Sequence, residues 1–136
     1  LHESTIDVMN RLGVDIAIPG NHEFDAGKDE LLRVLRGGCQ PAKPDGLTVS
    51  CALGPHTGAR FPMFAANVTA ADGKTLFPPS VVRSIGGVKI GFIGAVTRIT
   101  PTIVVPSGVA GLSFGDEADA INAEAARLRA SRPWWR

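Results

Sequence analysis

Charge of either sign is scarce and balanced in this sequence. Over 136 residues, 14 Lys plus Arg stand against 13 Asp plus Glu, leaving a net charge of +1. Only 20% of residues are charged, so there is no basic field of the kind that holds a nucleic-acid polymer or an anionic membrane surface. Long apolar runs are missing too. The longest, Val88–Val96, is broken by Lys89, Gly91 and Gly94, whereas a transmembrane helix needs about 20 consecutive apolar residues. The chain opens Leu1-His2-Glu3-Ser4, with no Met and no basic stretch. No signal peptide is visible, and the start reads as that of a processed chain or a fragment.

What is present is globular. An apolar content of 44% supplies a core, and 16 Gly with 10 Pro predict many turns. Ser4-Thr5-Ile6-Asp7 reads as a capped helix start, with Ile6, Met9 and Leu12 as the apolar stripe and Gly13 as the residue that ends the helix. Val14–Ile18 reads as a strand ended by Pro19-Gly20-Asn21, and Asp25–Arg36 as a helix burying Leu31, Leu32 and Leu35. Residues 37–60 read as loop, with a short strand at Leu47–Leu53. Met63–Val68 is a predicted strand, and Asp72-Gly73 a turn. Val81–Ile85 and Val88–Val96, joined by Gly86-Gly87, predict a hairpin. A Pro/Gly-punctuated loop, Pro101–Gly111, leads to a last helix, Asp116–Ala130, with a narrow apolar face of Ala118, Ile121, Ala125 and Leu128. Helices alternating with apolar strands predict an α/β domain; the glycine hairpin predicts a mixed sheet rather than a purely parallel one.

The segment with the most chemistry is Gly20-Asn21-His22-Glu23-Phe24-Asp25, between a predicted strand and a helix, where α/β folds place their sites. Asn21 can offer an amide oxygen to a hard or borderline cation. Asp25, three residues beyond His22, can reach the imidazole and set its tautomer. Such a pair suits phosphoester hydrolysis, in which an imidazole stabilises charge on the phosphate or the leaving oxygen. On spacing alone the hexapeptide also fits a plain turn with an exposed histidine.

The hexapeptide resembles the signature block of the calcineurin-like metallophosphoesterases, in the form found in secreted bacterial-type 5′-nucleotidases. Further blocks follow in that family's order: Thr5–Asn10 with Leu12–Asp15, Phe61–Val68, Gly87–Gly94, Thr100-Pro101 and Gly111–Phe114. The resemblance covers nearly all of residues 4–130. It implies a partial metallophosphoesterase domain over residues 1–130, part of a four-layer α/β/β/α sandwich. Asn21 would ligate one metal of a pair of divalent ions, with Zn, Mn, Fe or Co as candidates. His22 would be the transition-state imidazole and Asp25 its dyad partner. The implied activity is hydrolysis of a small nucleoside monophosphate in the periplasm or outside the cell.

Several of that family's blocks are not in the sequence. The upstream Asp-x-His and Gly-Asp blocks, the later ligand His and the Gly-His-x-His block are missing, so the chain resembles the middle of a catalytic domain and is expected to be inactive alone. His2 and His56 have no ligand-like spacing and read as solvated surface residues. The alternative is a non-catalytic α/β binding or interaction domain that keeps the scaffold without the metal centre. Residues 131–136 form an atypical tail. Reading Pro133-Trp134-Trp135-Arg136 one base out of frame, with a CGN codon at Arg136, gives an apolar Val/Leu/Met-Val-Ala run, so a frameshift is expected near residues 130–133, the alternative being a natural amphipathic Trp-rich tail. Cys39 and Cys51, 12 positions apart, are either a disulfide worth about 3 kcal/mol by loop entropy or two free thiols; some secreted relatives in the resembling family carry a similar Gly-Gly-Cys entry.

Overall fold

The computed structural model describes residues 2–41 and 50–131. Helix α1 spans Glu3–Leu12 and starts earlier than the Ser4 cap predicts, because the His2 carbonyl already accepts from the Thr5 and Ile6 amides. His2, in extended conformation, is the capping residue, and Ser4 lies inside the first turn. Gly13 closes the helix at φ 71°, the left-handed geometry expected of it. Ile6 is buried against Val34 and Phe61, Met9 is half-buried, and Leu12 points to solvent at 76% exposure. The stripe is therefore shorter than its sequence pattern.

The strand expected at Val14–Ile18 reduces to one parallel bridge, Ala17 to Met63. The Ala17 amide donates to Pro62 O at 3.0 Å and the Phe64 amide to Ala17 O at 3.2 Å. Pro19 and Pro62 have no N–H, so the ladder stops on both sides of that bridge. The segment expected as the strand Met63–Val68 is likewise extended but bonded piecemeal: the Ala65 amide donates to Pro78 O and the Ala66 amide to Gly94 O. At Gly94 a Cβ would lie 2.5 Å from Phe64 O, so only glycine permits this backbone approach.

Regular strands are short. β1 (Val68–Ala70) pairs antiparallel with β4 (Leu112–Phe114), and β2 (Ser80–Ile85) pairs antiparallel with β3 (Val88–Ile93) across Gly86-Gly87. The hairpin is as expected, although β3 ends at Ile93 rather than Val96. The expected mixed sheet is present as two two-stranded antiparallel ladders, with parallel pairing among the described residues only as the isolated Ala17–Met63 bridge. Buried Asn67 ties the ladders together. Its Oδ1 accepts from the Val96 amide at 2.8 Å, while its Nδ2 donates to Val96 O at 2.6 Å and Gly115 O at 2.9 Å. That satisfies a polar group that burial would otherwise penalise.

Helix α2 begins at Lys28, not Asp25, because Gly27 at φ 91° separates it from a 3₁₀ turn over Asn21–Phe24; it ends at Arg36. It buries Leu31 and Val34, with Leu32 and Leu35 only partly covered. The stretch expected as loop after Pro101 contains α3 (Thr100–Ile103) and a 3₁₀ turn at Pro106–Val109, both prolines sitting in first turns where a missing N–H is harmless. Helix α4 (Glu117–Ala130) is capped by Asp116, whose carboxylate accepts from the Ala118 and Asp119 amides. Its buried positions are Glu124 and Leu128; Ala118 and Ile121 are exposed. Glu124 is admitted to that face because Arg127 and Ser80 donate to its carboxylate. The main core joins Phe24, Leu31, Met63, Val68, Phe77, Val96 and Val109, and the described residues form a partial α/β domain. Of the strand expected at Leu47–Leu53, residues 47–49 lie outside the described residues and 50–53 form a turn; the tail at 132–136 lies outside them as well.

Candidate active site

The turn over residues 20–25 is built by backbone and one aromatic anchor. Gly20 is extended, and its amide donates to the Glu23 carboxylate at 2.5 Å. Asp25 and Gly27 amides donate to His22 O and Phe24 O, closing the turn on itself. Phe24 is fully buried and meets the Phe114 ring edge-on, centroids 5.1 Å apart. Gly108 backs onto the same residue so closely that a Cβ there would lie 2.3 Å from Phe24 O. With Phe24 pinned, the residues on either side face outward.

His22 Nδ1 lies 2.9 Å from Asp25 Oδ2, their side chains 75% and 48% exposed. A carboxylate only accepts, so Nδ1 carries the proton in this contact and Nε2 is turned away from Asp25. Asn21 opens the turn and is half-buried. Sequence proximity therefore brings His22 and Asp25 into contact, with Asn21 on the same turn. His2 is exposed at the cap of α1 and lies apart from them. Among the described residues no group of three or more His, Cys, Asp or Glu side chains is placed to hold a metal ion. One amide oxygen at Asn21 is far short of a two-metal ligand set, so the described residues do not by themselves fit that centre.

A second polar cluster runs along α2, from Glu30 in its first turn to the disulfide just past its end. Cys39 and Cys51 form a disulfide, Cα atoms 5.6 Å apart. It brings Ser50 and the Cys51 amide onto Glu3, at 3.0 and 2.6 Å. Arg33 bridges Glu3 at 2.8 Å and holds Glu30 by a two-pronged contact at 2.7 Å. Arg33 lowers the Glu30 carboxyl below its usual range, against the opposing effect of burial. Burial raises Glu3, but the Cys51 amide, Ser50 and Arg33 together outweigh it and leave that carboxyl lowered as well. Arg33 is raised in turn, chiefly by Glu30.

His56 corrects an expectation. It is not a surface residue: only 6% exposed, it has Nε2 2.7 Å from Val34 O. Its loop is locked where Gly58 meets Gly37; a Cβ on Gly58 would come within 2.6 Å of Gly37 N and Arg36 C. Flanking Pro55 and Gly58 read as loop, and nothing local marks this histidine as buried. The Glu3–Arg33–Glu30 cluster was equally hidden, since its members are 27 or more positions apart except for the helical Glu30/Arg33 spacing.

No family model matches the chain. Individual proteins do. The 5′-nucleotidase precursor of Thermus thermophilus superposes with a TM-score of 0.67 at 30% identity, over 93% of this chain and 21% of that one. This likeness defines the fold as that of a phosphoesterase domain, seen in part. Endonuclease YhcR of Bacillus subtilis is 37% identical over 128 residues, 93% of this chain and 10% of that protein. The mouse 5′-nucleotidase is 31% identical over 126 residues, 89% of this chain and 18% of that protein. The chain belongs to the 5′-nucleotidase/metallophosphoesterase family, a family of hydrolases. It spans between a tenth and under half of the length of the first relatives it matches.

Proposed function

We propose that the chain is the part of a 5′-nucleotidase-type phosphoester hydrolase that carries the His–Asp dyad and one metal ligand, acting on a small nucleoside monophosphate. The observation that carries the reading is the 2.9 Å contact between His22 Nδ1 and Asp25 Oδ2 on the 3₁₀ turn that leads into α2. Asp25 fixes the ring and its tautomer, so Nε2 is the working atom. In its protonated form Nε2–H donates to an oxygen of the phosphate or to the leaving oxygen as negative charge grows there. Water attacks phosphorus, the P–O ester bond breaks, and the nucleoside oxygen takes up a proton. Asn21 would be a ligand to one of two divalent ions (Zn, Mn, Fe or Co), which would supply polarisation of the phosphoryl group and activation of water. The remaining ligands are not among the described residues, so the 136-residue chain alone is expected to be inactive or nearly so. A disulfide at Cys39–Cys51 supports a periplasmic or extracellular setting, and among the described residues no helix is long and apolar enough to cross a membrane.

The test has two arms. The chain alone, given Mn²⁺ or Co²⁺ and AMP, should release phosphate no faster than its His22→Ala variant. A chimera with this chain in place of the matching segment of the Thermus thermophilus 5′-nucleotidase should hydrolyse AMP, with His22→Ala lowering kcat by about 10²-fold or more. A folded, metal-loaded chimera that hydrolyses AMP equally well without His22 would refute the role given to the dyad. An inactive chimera with metal bound would instead favour the reading as a non-catalytic binding domain.

A further inference from the structure

The turn that carries His22 and Asp25 is held from two sides in different ways. The Phe24 ring, with no solvent exposure, draws the turn into the core. A ring buried at one position leaves open how far the backbone just beyond it stands from the protein. A second turn, Pro106–Val109, meets that backbone. A Cβ built on Gly108 would lie 2.3 Å from Phe24 O, 3.3 Å from Phe24 C and 3.2 Å from Asp25 O. Phe24 O and Asp25 O belong to the two planar peptide groups that flank the Asp25 Cα. The glycine therefore faces the chain on both sides of the residue whose carboxylate holds His22.

Closeness alone calls for glycine here. Gly108 is outside the left-handed backbone region, so its φ would admit a side chain. It is buried, its amide donates to Val105 O at 2.8 Å, and Val109 beside it is buried in the same core as Phe24. A methyl group on Gly108 would stand about 1 Å inside ordinary contact with a backbone oxygen, and one of the two turns would have to give way. Asp25 and Ala26 are exposed whereas Gly108 and Val109 are buried, so the Asp25 side is the one that yields.

We propose that Gly108 is a positioning residue for the His22–Asp25 pair. Its missing side chain lets the Pro106–Val109 turn abut the peptide groups on either side of Asp25, and this contact sets where the carboxylate, and through it the imidazole, stands. Gly108 acts only through Asp25. Its consequence for catalysis rests on the dyad reading above; its consequence for the geometry of the pair does not. A misplacement of about 1 Å at a reacting group can cost about 10²-fold in rate.

The experiment reads His22 directly, by ¹⁵N NMR of its imidazole in the full, disulfide-bonded chain. In the parent the Asp25 contact keeps the hydrogen on Nδ1, and Asp25→Ala supplies the signals of a ring without that partner. Gly108→Ala should carry the His22 ring signals about half of the way or more toward those of Asp25→Ala, while the amide signals of β2, β3 and α4 stay in place. Should Gly108→Ala not fold, Val109→Ala, which loosens the same turn, should move the His22 signals in the same direction. Ring signals that remain at the parent position in the variant that folds would overturn the proposal. A second arm uses the chimera. There Gly108→Ala should lower kcat about tenfold or more with KM changed by less than about twofold, and should cost nothing further once His22→Ala is present. An equal loss with and without His22 would mean that the glycine acts through the fold at large, which also overturns the proposal. If His22→Ala alone leaves kcat unchanged, the dyad reading fails, and the imidazole signals still decide whether Gly108 places the pair.

Discussion

The two ends of helix α2 are built in opposite ways. At its N-terminal end, His22 and Asp25 meet each other in solvent, and the turn is held to the protein by a single buried ring, Phe24. Along the helix and just past its C-terminal end, Glu3, Glu30, Arg33 and Gln40 are locked by ion pairs, a disulfide and a glycine-to-glycine backbone contact. Polar groups at the first end are left with unused valence toward solvent; at the second, most of it is consumed by the scaffold. The contrast teaches that exposure of a polar pair on a firmly anchored turn, rather than density of polar contacts, marks the candidate site of chemistry.

The largest way to break that contrast is to remove the anchor. Phe24→Ala deletes a ring with no solvent exposure and its edge-on contact with Phe114, and should cost about 4 kcal/mol. Chemical denaturation would show it as a large fall in the midpoint. If the turn were instead held by its own backbone bonds, the loss would stay below about 1 kcal/mol. Next in size is the other end. Reducing Cys39–Cys51 should cost about 3 kcal/mol. Amide exchange should then rise at residues 50–56 and at the start of α1 while residues 21–25 stay as protected as before; equal loosening at both ends would erase the distinction.

The same contrast explains what was legible in the sequence. Local order was: Gly13 as helix stop, the Gly86-Gly87 hairpin and Asp116 heading the last helix all follow from residues a few positions apart. So did the His22/Asp25 contact, since three residues of a tight turn bring the two side chains within reach. Strands were over-read. Val14–Ile18 and Met63–Val68 have the composition of strands, but Pro19 and Pro62 remove the donors that a ladder needs, and pairing survives at one bridge. Apolar spacing misplaced the buried face of α4, because Glu124 takes an interior position once Arg127 and Ser80 satisfy it. The burial of His56 depends on Gly58 meeting Gly37, 21 positions away, and no spacing rule reports a contact of that range.

Acid should act on the two ends unequally. Glu30 and Glu3 have carboxyl groups lowered in the folded chain, Glu30 by Arg33 first and Glu3 by the Cys51 amide, Ser50 and Arg33 against the effect of burial. A lowered carboxyl stabilises the fold above its unfolded value of about 4.3 and loses that contribution as pH falls through the folded value. Stability should therefore be level above roughly pH 5 and decline below about pH 4.5, by less than reduction costs. Glu30→Gln should flatten part of that decline. A denaturation midpoint that stays constant from pH 5 to pH 3, or a slope that Glu30→Gln leaves unchanged, would remove this carboxylate from the account.

The smallest stability effect belongs to the residue with the largest proposed functional one. His22→Ala removes a side chain that is 75% exposed and whose partner Asp25 is itself half in solvent. Exposed ion pairs contribute roughly 0–1 kcal/mol, so the variant should melt within about 0.5 kcal/mol of the parent. That near-neutrality is what makes the substitution a clean probe. In the chimera that supplies the remaining ligands, a loss of about 10²-fold in turnover without loss of fold can only come from the missing imidazole, not from a damaged turn. A destabilisation of 2 kcal/mol or more would instead put His22 in the scaffold, and the difference between the two ends of α2 would collapse into one of degree.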